Sequence, residues 1–270
     1  VDHAFPLPFD FPGAVSGFIK KINPKALFIA RTDLWPEVLM QCQQRKIPTV
    51  LFSYHRNKNT GVIAGFLKKW LLNKLTHIDC VNSESKKFLE GHVKPTVTDF
   101  GDTRYDRVRD RLENSKSIPF SIPQEKVIVL GSTWSEDESQ ILPALEKTKS
   151  IWELVITAPH EPTTSHINDL KKKFDRLGLS YELFSEVKDS TSKDILIVDK
   201  VGWLFDLYRF SALSFVGGSF KSTVHSVMEP LSHGSRVFLG PKIQNNAEAL
   251  DFKSLMFHDT PAVHVAKSSE

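Results

Sequence analysis

Short apolar runs rich in β-branched residues alternate with amphipathic segments along the whole chain. The alternation predicts parallel sheets covered by helices, because strands buried on both faces have continuous apolar runs. The strands predicted in the first half are 26–30, 49–53, 78–82 and 96–100. Those predicted in the second half are 127–131, 154–158, 195–199, 213–217 and 237–240, and a strand-like run follows at 262–265.

A polar stretch punctuated by prolines, residues 113–124, separates the halves and is typical of a linker. It predicts an N-terminal domain at 1–112 and a C-terminal domain at 125–270. The expected fold class is α/β, with two Rossmann-like domains facing a cleft. Ligands of open α/β sheets bind at the carboxyl ends of strands, so the polar turns after the C-terminal strands are candidate ligand sites.

Composition narrows the class of protein. The chain has 270 residues, of which 40% are hydrophobic and 25% charged, as in globular proteins, and no apolar stretch is long enough to span a bilayer. Its formal net charge of +3 is too small to indicate nucleic-acid binding. Cys42 and Cys80 lack metal or redox spacing, the histidines are scattered, and there is no Asp-x-Asp pair, so no metal site is predicted.

The densest group of candidate residues follows the strand at 213–217. A Gly217-Gly218-Ser219 turn is followed by His225 to Pro230 and then by a second turn at 239–249. Glycines let backbone N–H groups approach a phosphate, and Glu229 at a helix start could accept hydrogen bonds from ribose hydroxyls. The alternative is that the glycines only turn the chain and that Glu229 favours the helix dipole.

These three segments resemble the bacterial family that transfers Kdo from CMP-Kdo to lipid A precursors. Its C-terminal domain has a Val-Gly-Gly-Ser turn, a His-Asn-x-x-Glu-Pro segment and a Gly-Pro-x-x-x-Asn turn, and the counterparts occur here in the same order. Ser226 stands where the family has Asn, and the loop 221–224 lacks the usual glycine pair.

Other stretches extend the resemblance over nearly the whole chain. They are 5–15, 31–37, 101–106, 131–138 and 158–162. In the last of these His160 replaces a family arginine, and imidazole holds an anion less firmly than guanidinium. At 131–138, Ser132 and Thr133 could contact a donor phosphate or cap a helix whose first turn carries Glu136, Asp137 and Glu138.

The resemblance implies a GT-B-type glycosyltransferase of lipopolysaccharide biosynthesis that inverts the sugar centre without metal or cofactor. Its partners would be CMP-Kdo, a lipid A precursor and the cytoplasmic face of the bacterial inner membrane, with no nucleic acid. The donor-binding candidates are Ser132, Thr133, His160, Gly217, Gly218, Ser219, His225, Glu229, Asn245, Asn246 and Glu248. The acceptor-side candidates are Asp33 and Trp35.

The catalytic residue stays unassigned. The family's catalytic carboxylate belongs to a Gly-Glu segment that matches no position here, and we expect it to lie before Val1 in a longer protein. Three alternatives follow from the same sequence: a UDP-sugar-dependent GT-B glycosyltransferase, a noncatalytic homologue that binds sugar nucleotide or lipid, and a nucleotide-sugar epimerase.

The segment 65–75 predicts a basic amphipathic helix in the N-terminal half. It could rest on anionic lipid through Lys68, Lys69 and Lys74. The more ordinary expectation is that an apolar face packs on the sheet and leaves a solvated basic face. The residues expected on that packed face are Phe66, Leu67, Trp70 and Leu71.

Overall fold

The computed structural model describes residues 3–31, 33–56, 62–221, 223–244, 246–257 and 259–267. The chain divides into two compact units, Val1–Arg107 and Val108–Glu270. The division falls inside helix Thr103–Glu113, just before the predicted linker. No helix in these described ranges is long and apolar enough to cross a membrane.

The N-terminal unit is an α/β layer in which the described residues form a four-stranded parallel sheet of order β1-β2-β3-β4. Its strands are β1 Leu27–Ala30, β2 Thr49–Tyr54, β3 His77–Cys80 and β4 Thr96–Thr98. Its helices are α1 Pro12–Ile22, α2 Pro36–Gln44, α3 Val62–Leu72 and α4 Ser83–Leu89, and helix α5 Thr103–Glu113 belongs to the C-terminal unit from Val108 onward. The central Leu51 and Ile78 are fully buried, as parallel strands covered by helices require.

Of the helix face expected to pack on the sheet, Leu71 is buried in the core, but Phe66, Leu67 and Trp70 are not. Leu71, Leu72 and Leu75 are buried, whereas Phe66 and Leu67 are 77% and 51% exposed and Trp70 is 38% exposed. Within the helix, half-buried Lys68 and buried Leu71 and Leu72 have the i, i+3, i+4 spacing of one face, and Leu75 follows the helix end. Apolar residues occur on both sides of this helix, so the pattern alone did not determine which side meets the sheet.

The C-terminal unit is a larger α/β layer. Its strands are β5 Val127–Thr133, β6 Leu154–Pro159, β7 Tyr181–Leu183, β8 Ile195–Ile197, β9 Ser211–Val216, β10 Arg236–Leu239, β11 Met256–Phe257, β12 Thr260–Pro261 and β13 Val263–Val265. Its α-helices are α6 Ser135–Lys147, α7 Thr164–Arg176, α8 Leu204–Leu207, α9 Met228–Ser232 and α10 Ala247–Lys253. Short 3₁₀ segments occupy Lys149–Ile151 and Tyr208–Phe210.

The described residues of this unit form a seven-stranded sheet of order β13-β10-β9-β5-β6-β8-β7, with all pairs parallel. Alternate residues of β5 enter opposite core clusters, with Val127 and Val129 on one face and Leu130 on the other. The chain runs from β5 outward to β6 and then returns to β9 on the other side of β5. The strand order therefore reverses between β5 and β9, and such switch points are where open α/β sheets bind ligands.

All nine predicted strands are present, as is the strand-like run near the end. The sequence missed β7 and the antiparallel pair β11–β12. Strand β7 is three residues long, lies at the sheet edge and is half-buried throughout, so it lacks the continuous apolar run of the inner strands. A two-residue strand such as β11 is too short to show any pattern of apolar and polar residues.

Candidate functional site

The Gly217-Gly218 turn after β9 lies against the end of β5. Gly217 donates its backbone N–H to the carbonyl of Gly131 at 2.8 Å. A Cβ atom on Gly217 would lie 2.0 Å from the Ser132 carbonyl oxygen. Gly218 has φ +91°, and a Cβ there would lie 1.7 Å from the Thr223 carbonyl oxygen. Both positions therefore require glycine for the close approach of chain segments at the switch point.

Asp137, in the first turn of α6, holds this turn in place. Its Oδ2 accepts the backbone N–H groups of Gly218 at 2.7 Å and Trp134 at 3.0 Å, and its Oδ1 accepts that of Phe220 at 3.1 Å. The side chain is fully buried. The sequence predicted capping for this acidic turn, which is confirmed for Asp137, but gave no sign of the two bonds to the glycine turn.

Ser132 and Thr133 do not cap α6, because β5 extends through both residues and the cap is formed at Trp134. Ser132 is half-buried with φ +53°. Thr133 is buried and donates its hydroxyl to Glu138 at 3.1 Å. The donor-phosphate contact predicted for these two residues stays a prediction.

Glu138 is a buried carboxylate with several partners. Besides the Thr133 hydroxyl, it contacts Nε2 of His166 and Nζ of Lys173, each at 2.7 Å. A buried charge is tolerated when it is paired and hydrogen-bonded in this way. Glu138 therefore anchors α6 to α7 and the end of β5, whereas Glu136 in the same turn is exposed.

Three aromatic rings stack at the carboxyl edge of the sheet. The centroids of Trp134 and His160 are 4.5 Å apart, and those of His160 and His225 are 4.3 Å apart. Lys221 places its Nζ 3.6 Å from the Trp134 ring centroid. The backbone N–H of exposed His160 binds the Thr133 carbonyl at 2.9 Å. The sequence predicted the two histidines as site residues, but missed Trp134 and Lys221, which carry no motif of their own.

His225 is a neutral ring at pH 7. Burial first, and then the neighbouring His160, lower the pKa of His225 to about 4. Its Nε2 receives a hydrogen bond from Nε1–H of Trp134 at 3.3 Å. His225 therefore offers a ligand a polar but uncharged ring. The positive charge beside the stack is that of Lys221.

The second turn holds the loop that carries His225. Asn246 caps α10 by accepting the N–H of Ala249 at 2.9 Å, and its Nδ2 donates to the carbonyls of Val224 and His225 at 3.1 and 3.3 Å. Buried Glu248 accepts the hydroxyl of Ser226 at 3.1 Å. The three predicted segments thus converge, although Asn245 lies outside the described residues.

Ser219 joins the glycine turn to the next strand. Its side chain is fully buried, and its Oγ accepts the backbone N–H of Gly240 at 2.6 Å. The Ser219 carbonyl accepts the N–H of Lys242 at 3.0 Å. Ser219 thus fixes the loop between β9 and β10, and the donor contact predicted for it stays a prediction.

Glu229 lies at the start of α9, as predicted. Its Oε1 accepts a hydrogen bond from Nη1 of Arg111 at 2.6 Å. The guanidinium carbon of Arg111 lies 4.0 Å from the Phe205 ring centroid, which fixes the arginine from its other side. Arg111 lies 118 residues away in sequence, and no motif indicated it.

The acceptor-side candidates belong to the N-terminal unit. Asp33 and Trp35 line a groove of about 240 Å³ with Phe28 and Leu7. Asp33 is exposed, and Trp35 is 48% exposed immediately before α2. Asp10 fixes this region by accepting the backbone N–H groups of Glu37 and Val38 at 3.0 and 3.1 Å, in the first turn of α2.

The two cysteines are structural. Cys42 and Cys80 are buried free thiols, and burial raises the pKa of both, that of Cys80 to about 12. Such thiols are poor nucleophiles because they stay protonated. In the part of the chain that the structure describes, no three His, Cys, Asp or Glu side chains form a group that could hold a metal ion.

The chain is similar in sequence to several known proteins. A family model described as 3-deoxy-D-manno-octulosonic-acid transferase (kdotransferase) matches residues 1–107. A 3-deoxy-D-manno-octulosonic acid transferase of Chlamydophila psittaci is 24% identical over 262 residues, which cover 90% of this chain and 58% of the relative. A bifunctional glycosyltransferase/methyltransferase of Fusobacterium nucleatum is 26% identical over 255 residues, covering 88% and 39%. The predicted family resemblance is confirmed.

Structural similarity confirms the predicted fold class. The UDP-GlcNAc 2-epimerase from Methanocaldococcus jannaschii superposes with a TM-score of 0.62 at 13% identity, covering 95% of this chain and 69% of that structure. At this identity the likeness shows the α/β fold alone. The chain spans 39% and 58% of the lengths of the two relatives described above.

Proposed function

Because the chain is related in sequence to the Kdo transferases, we propose that it binds CMP-Kdo through its C-terminal unit and serves in transfer of Kdo to a lipid A precursor. The reaction would belong to lipopolysaccharide biosynthesis. The relatives are transferases, so the general class of reaction is glycosyl transfer. The proposal adds to this class the donor, CMP-Kdo, and the acceptor, a lipid A precursor.

One observation carries the donor assignment: the three family-like segments of the C-terminal unit converge beside the switch point between β5 and β9. The glycine turn lies on β5 through Gly217, and the His225 loop is held by Asn246. The cation of Lys221 lies beside the ring stack. A cation at the carboxyl edge of such a sheet suits a donor that carries phosphate and carboxylate.

Glu229 is the proposed ribose-binding residue. Arg111 orients its carboxylate with a hydrogen bond of 2.6 Å at the start of α9. A carboxylate in this position is an acceptor for the ribose hydroxyls of a nucleotide. Arg111 thus supports donor binding by restricting the rotamer of Glu229.

The proposed transfer is a single inverting displacement without metal or cofactor. The acceptor hydroxyl gives its proton to a base, its oxygen bonds to the anomeric carbon of Kdo, and the bond from that carbon to the phosphate oxygen breaks as CMP leaves. CMP carries one phosphate, so its departure does not require a divalent ion to bridge a diphosphate. We assign no residue of this chain as the base.

Helix α3 supports contact with the cytoplasmic face of the inner membrane. Phe66, Leu67 and Trp70 are exposed on it, Lys69 lies among them in sequence, and Lys74 follows two residues after the helix ends. Lys74 holds its Nζ 4.9 Å from the Trp70 ring centroid. Exposed aromatic and aliphatic residues interleaved with lysines bind anionic interfaces.

Calorimetric titration of the chain with CMP and UDP, each with and without EDTA, tests the donor assignment. We expect CMP to bind more tightly than UDP, with no effect of EDTA. Glu229→Gln should weaken CMP binding by about tenfold, the scale of one lost charged hydrogen bond. The control is Glu186→Gln, an exposed glutamate of the same unit.

Either of two results would overturn the proposal. A preference for UDP would favour the UDP-sugar alternative, and failure of the folded chain to bind CMP would remove the donor assignment. Equal CMP affinities of the Glu229→Gln and Glu186→Gln variants would remove the role of Glu229.

A further inference from the structure

A series of side-chain contacts runs from the end of α9 back to its start. The ring centroid of His233, at the end of α9, lies 4.8 Å from that of Phe205, with 63° between the ring planes. Phe205 also contacts Arg111, whose guanidinium carbon lies 4.0 Å from the ring centroid. Arg111 in turn donates its 2.6 Å hydrogen bond to Glu229. His233 is therefore linked to the proposed ribose-binding carboxylate through one ring and one guanidinium.

Phe205 is the rigid member of this series. Its side chain is 1% exposed and lies in α8. The next residue, Asp206, fixes this segment, because its Oδ1 accepts the backbone N–H of Lys116 at 2.7 Å and Nη2 of Arg209 at 3.2 Å. Close-packed interiors are hardly compressible and transmit a displacement. A shift of one neighbour of the Phe205 ring is therefore passed to its other neighbour.

The surroundings of His233 favour its neutral form. Burial first, and then the positive charge of Arg209, lower the pKa of the imidazole. Its buried Nε2 has no hydrogen-bond partner among the described residues. The bond that the ring forms with the Phe205 backbone therefore uses Nδ1. A proton added to Nε2 would be buried without an acceptor, which costs free energy.

Charged groups face the imidazole from each element packed against it. Arg209, in the 3₁₀ segment after α8, and Arg111 on α5 disfavour its protonated form, whereas Asp206 on α8 favours it. Asp206 is already paired with Arg209 at 3.2 Å. Positive charge therefore predominates around His233. A second cation beside Phe205 would repel Arg111 and compete with it for the same ring.

We propose that His233 is a positioning residue for donor binding, acting on Glu229 only while its own ring is neutral. The neutral ring supports Phe205, and Phe205 keeps Arg111 at the carboxylate. Protonation of His233 displaces the guanidinium and loosens its hydrogen bond to Glu229, so donor affinity falls as the pH drops. The inference rests on the proposed role of Glu229 in donor binding and adds a proton-linked control of that role.

Calorimetric titration with CMP at pH 7 and pH 5 tests the inference on the whole chain. His233→Phe keeps a ring against Phe205 but cannot be protonated, and at pH 7 it should match the CMP affinity of the parent chain within about twofold. Between pH 7 and pH 5 the parent should lose at least about threefold more affinity than the variant. Protonation of the CMP phosphate and of other side chains is common to both proteins and cancels. Equal losses would overturn the proposal.

A second variant separates the ring of His233 from its backbone bond. His233→Asn keeps an N–H₂ group that can donate to the Phe205 carbonyl, but it removes the ring. It should weaken CMP binding at pH 7 by about fivefold, because the side chain packed against Phe205 is lost. His92→Asn, at an exposed histidine of the N-terminal unit, should leave the affinity unchanged. Full CMP affinity in folded His233→Asn protein would contradict the proposal.

The pKa of His233, followed by NMR, gives a measurement that needs no nucleotide. Arg111→Met removes a positive charge that faces the imidazole and should raise this pKa. Arg109→Met removes an exposed arginine of the same helix, paired with Glu113 at 3.8 Å, and should leave the pKa unchanged. The same pKa in both variants would overturn the proposal. If the parent chain binds no CMP while Arg111→Met still raises the pKa, the donor assignment fails and the link between His233 and Arg111 stands.

Discussion

Nε1–H of Trp134 donates a hydrogen bond to Nε2 of His225 across 3.3 Å. Indole nitrogen is a donor only, so Nε2 must be the acceptor and the neutral imidazole must carry its proton on Nδ1. His160 stacks on the same ring, with 24° between the ring planes. Trp134 therefore selects one tautomer of His225 and leaves it an Nδ1–H donor.

The tautomer is testable with Trp134→Phe, which keeps an aromatic ring in the stack but removes the donor. We expect nitrogen-15 NMR of the parent chain to show His225 with a protonated Nδ1 and an unprotonated Nε2. In the variant the Nε2-protonated form should appear. Trp203→Phe is the control in the same unit. A parent spectrum with the proton on Nε2 would contradict the assignment.

Acidification should destabilise the C-terminal unit through His225. Its pKa is lowered to about 4 when folded, chiefly by burial and then by His160, from an ordinary value of 6.5. Between these values the unfolded chain binds more protons, so stability is present above pH 6.5 and is lost as the pH falls towards 4. The lowered pKa of His233 acts in the same direction.

Urea unfolding at pH 7 and pH 4.5 isolates the contribution of His225 to the loss of stability at acidic pH. His225→Gln should lose less stability between the two pH values than the parent chain, by about 1 kcal/mol after allowing for partial solvent exposure. His92→Gln, at an exposed histidine of the other unit, should behave as the parent. An identical pH dependence of the free energy of unfolding in the two variants would exclude His225 as a source of the acid destabilisation.

Residues close in sequence were predicted well, and contacts between distant residues were not. The buried strands of both sheets have apolar runs that read directly as parallel strands, and Glu229 follows a motif that places it at a helix start. Trp134 and His225 are 91 residues apart, and Arg111 and Glu229 are 118 apart. Such partners depend on strand order, which local periodicity does not encode.

The orientation of α3 shows a different limit. Phe66 and Trp70 lie on one side of the helix, and Leu71 and Leu72 lie on another. A helix with apolar residues on two sides fits a sheet by either face, and packing rather than propensity decides between them. In the structure the leucine side packs on the sheet, and the aromatic residues are exposed.

Gly218→Ala should destabilise the C-terminal unit more than an ordinary left-handed glycine does. Gly178 also has positive φ, at +63°, but no atom lies within 4 Å of its ideal Cβ position. Gly178→Ala therefore measures backbone strain alone, about 1 kcal/mol. Gly218→Ala adds overlap with the Thr223 carbonyl and should cost at least about 2 kcal/mol more in urea unfolding. Equal costs would mean that the turn relaxes freely around a methyl group.

Asp137→Asn tests whether one carboxylate holds the glycine turn. Both of its oxygens are used, since Oδ2 accepts from Gly218 and Trp134 and Oδ1 accepts from Phe220. An asparagine has one acceptor oxygen, and its amide N–H₂ would face a backbone N–H donor. The fully buried site has no solvent to replace the lost bond. We expect a loss of about 2–4 kcal/mol in the free energy of unfolding.

Glu136→Gln is the matched control, because Glu136 occupies the same helical turn but is exposed. It makes the same change from carboxylate to amide beside the same helix N-terminus, so it measures the dipole contribution, about 0.3–1 kcal/mol. Urea unfolding of both variants separates this contribution from the hydrogen bonds to the turn. Equal losses would show that Asp137 acts only through the dipole. A larger loss in Asp137→Asn, together with weaker CMP binding by its folded fraction, would show that the carboxylate sets the geometry of the donor site.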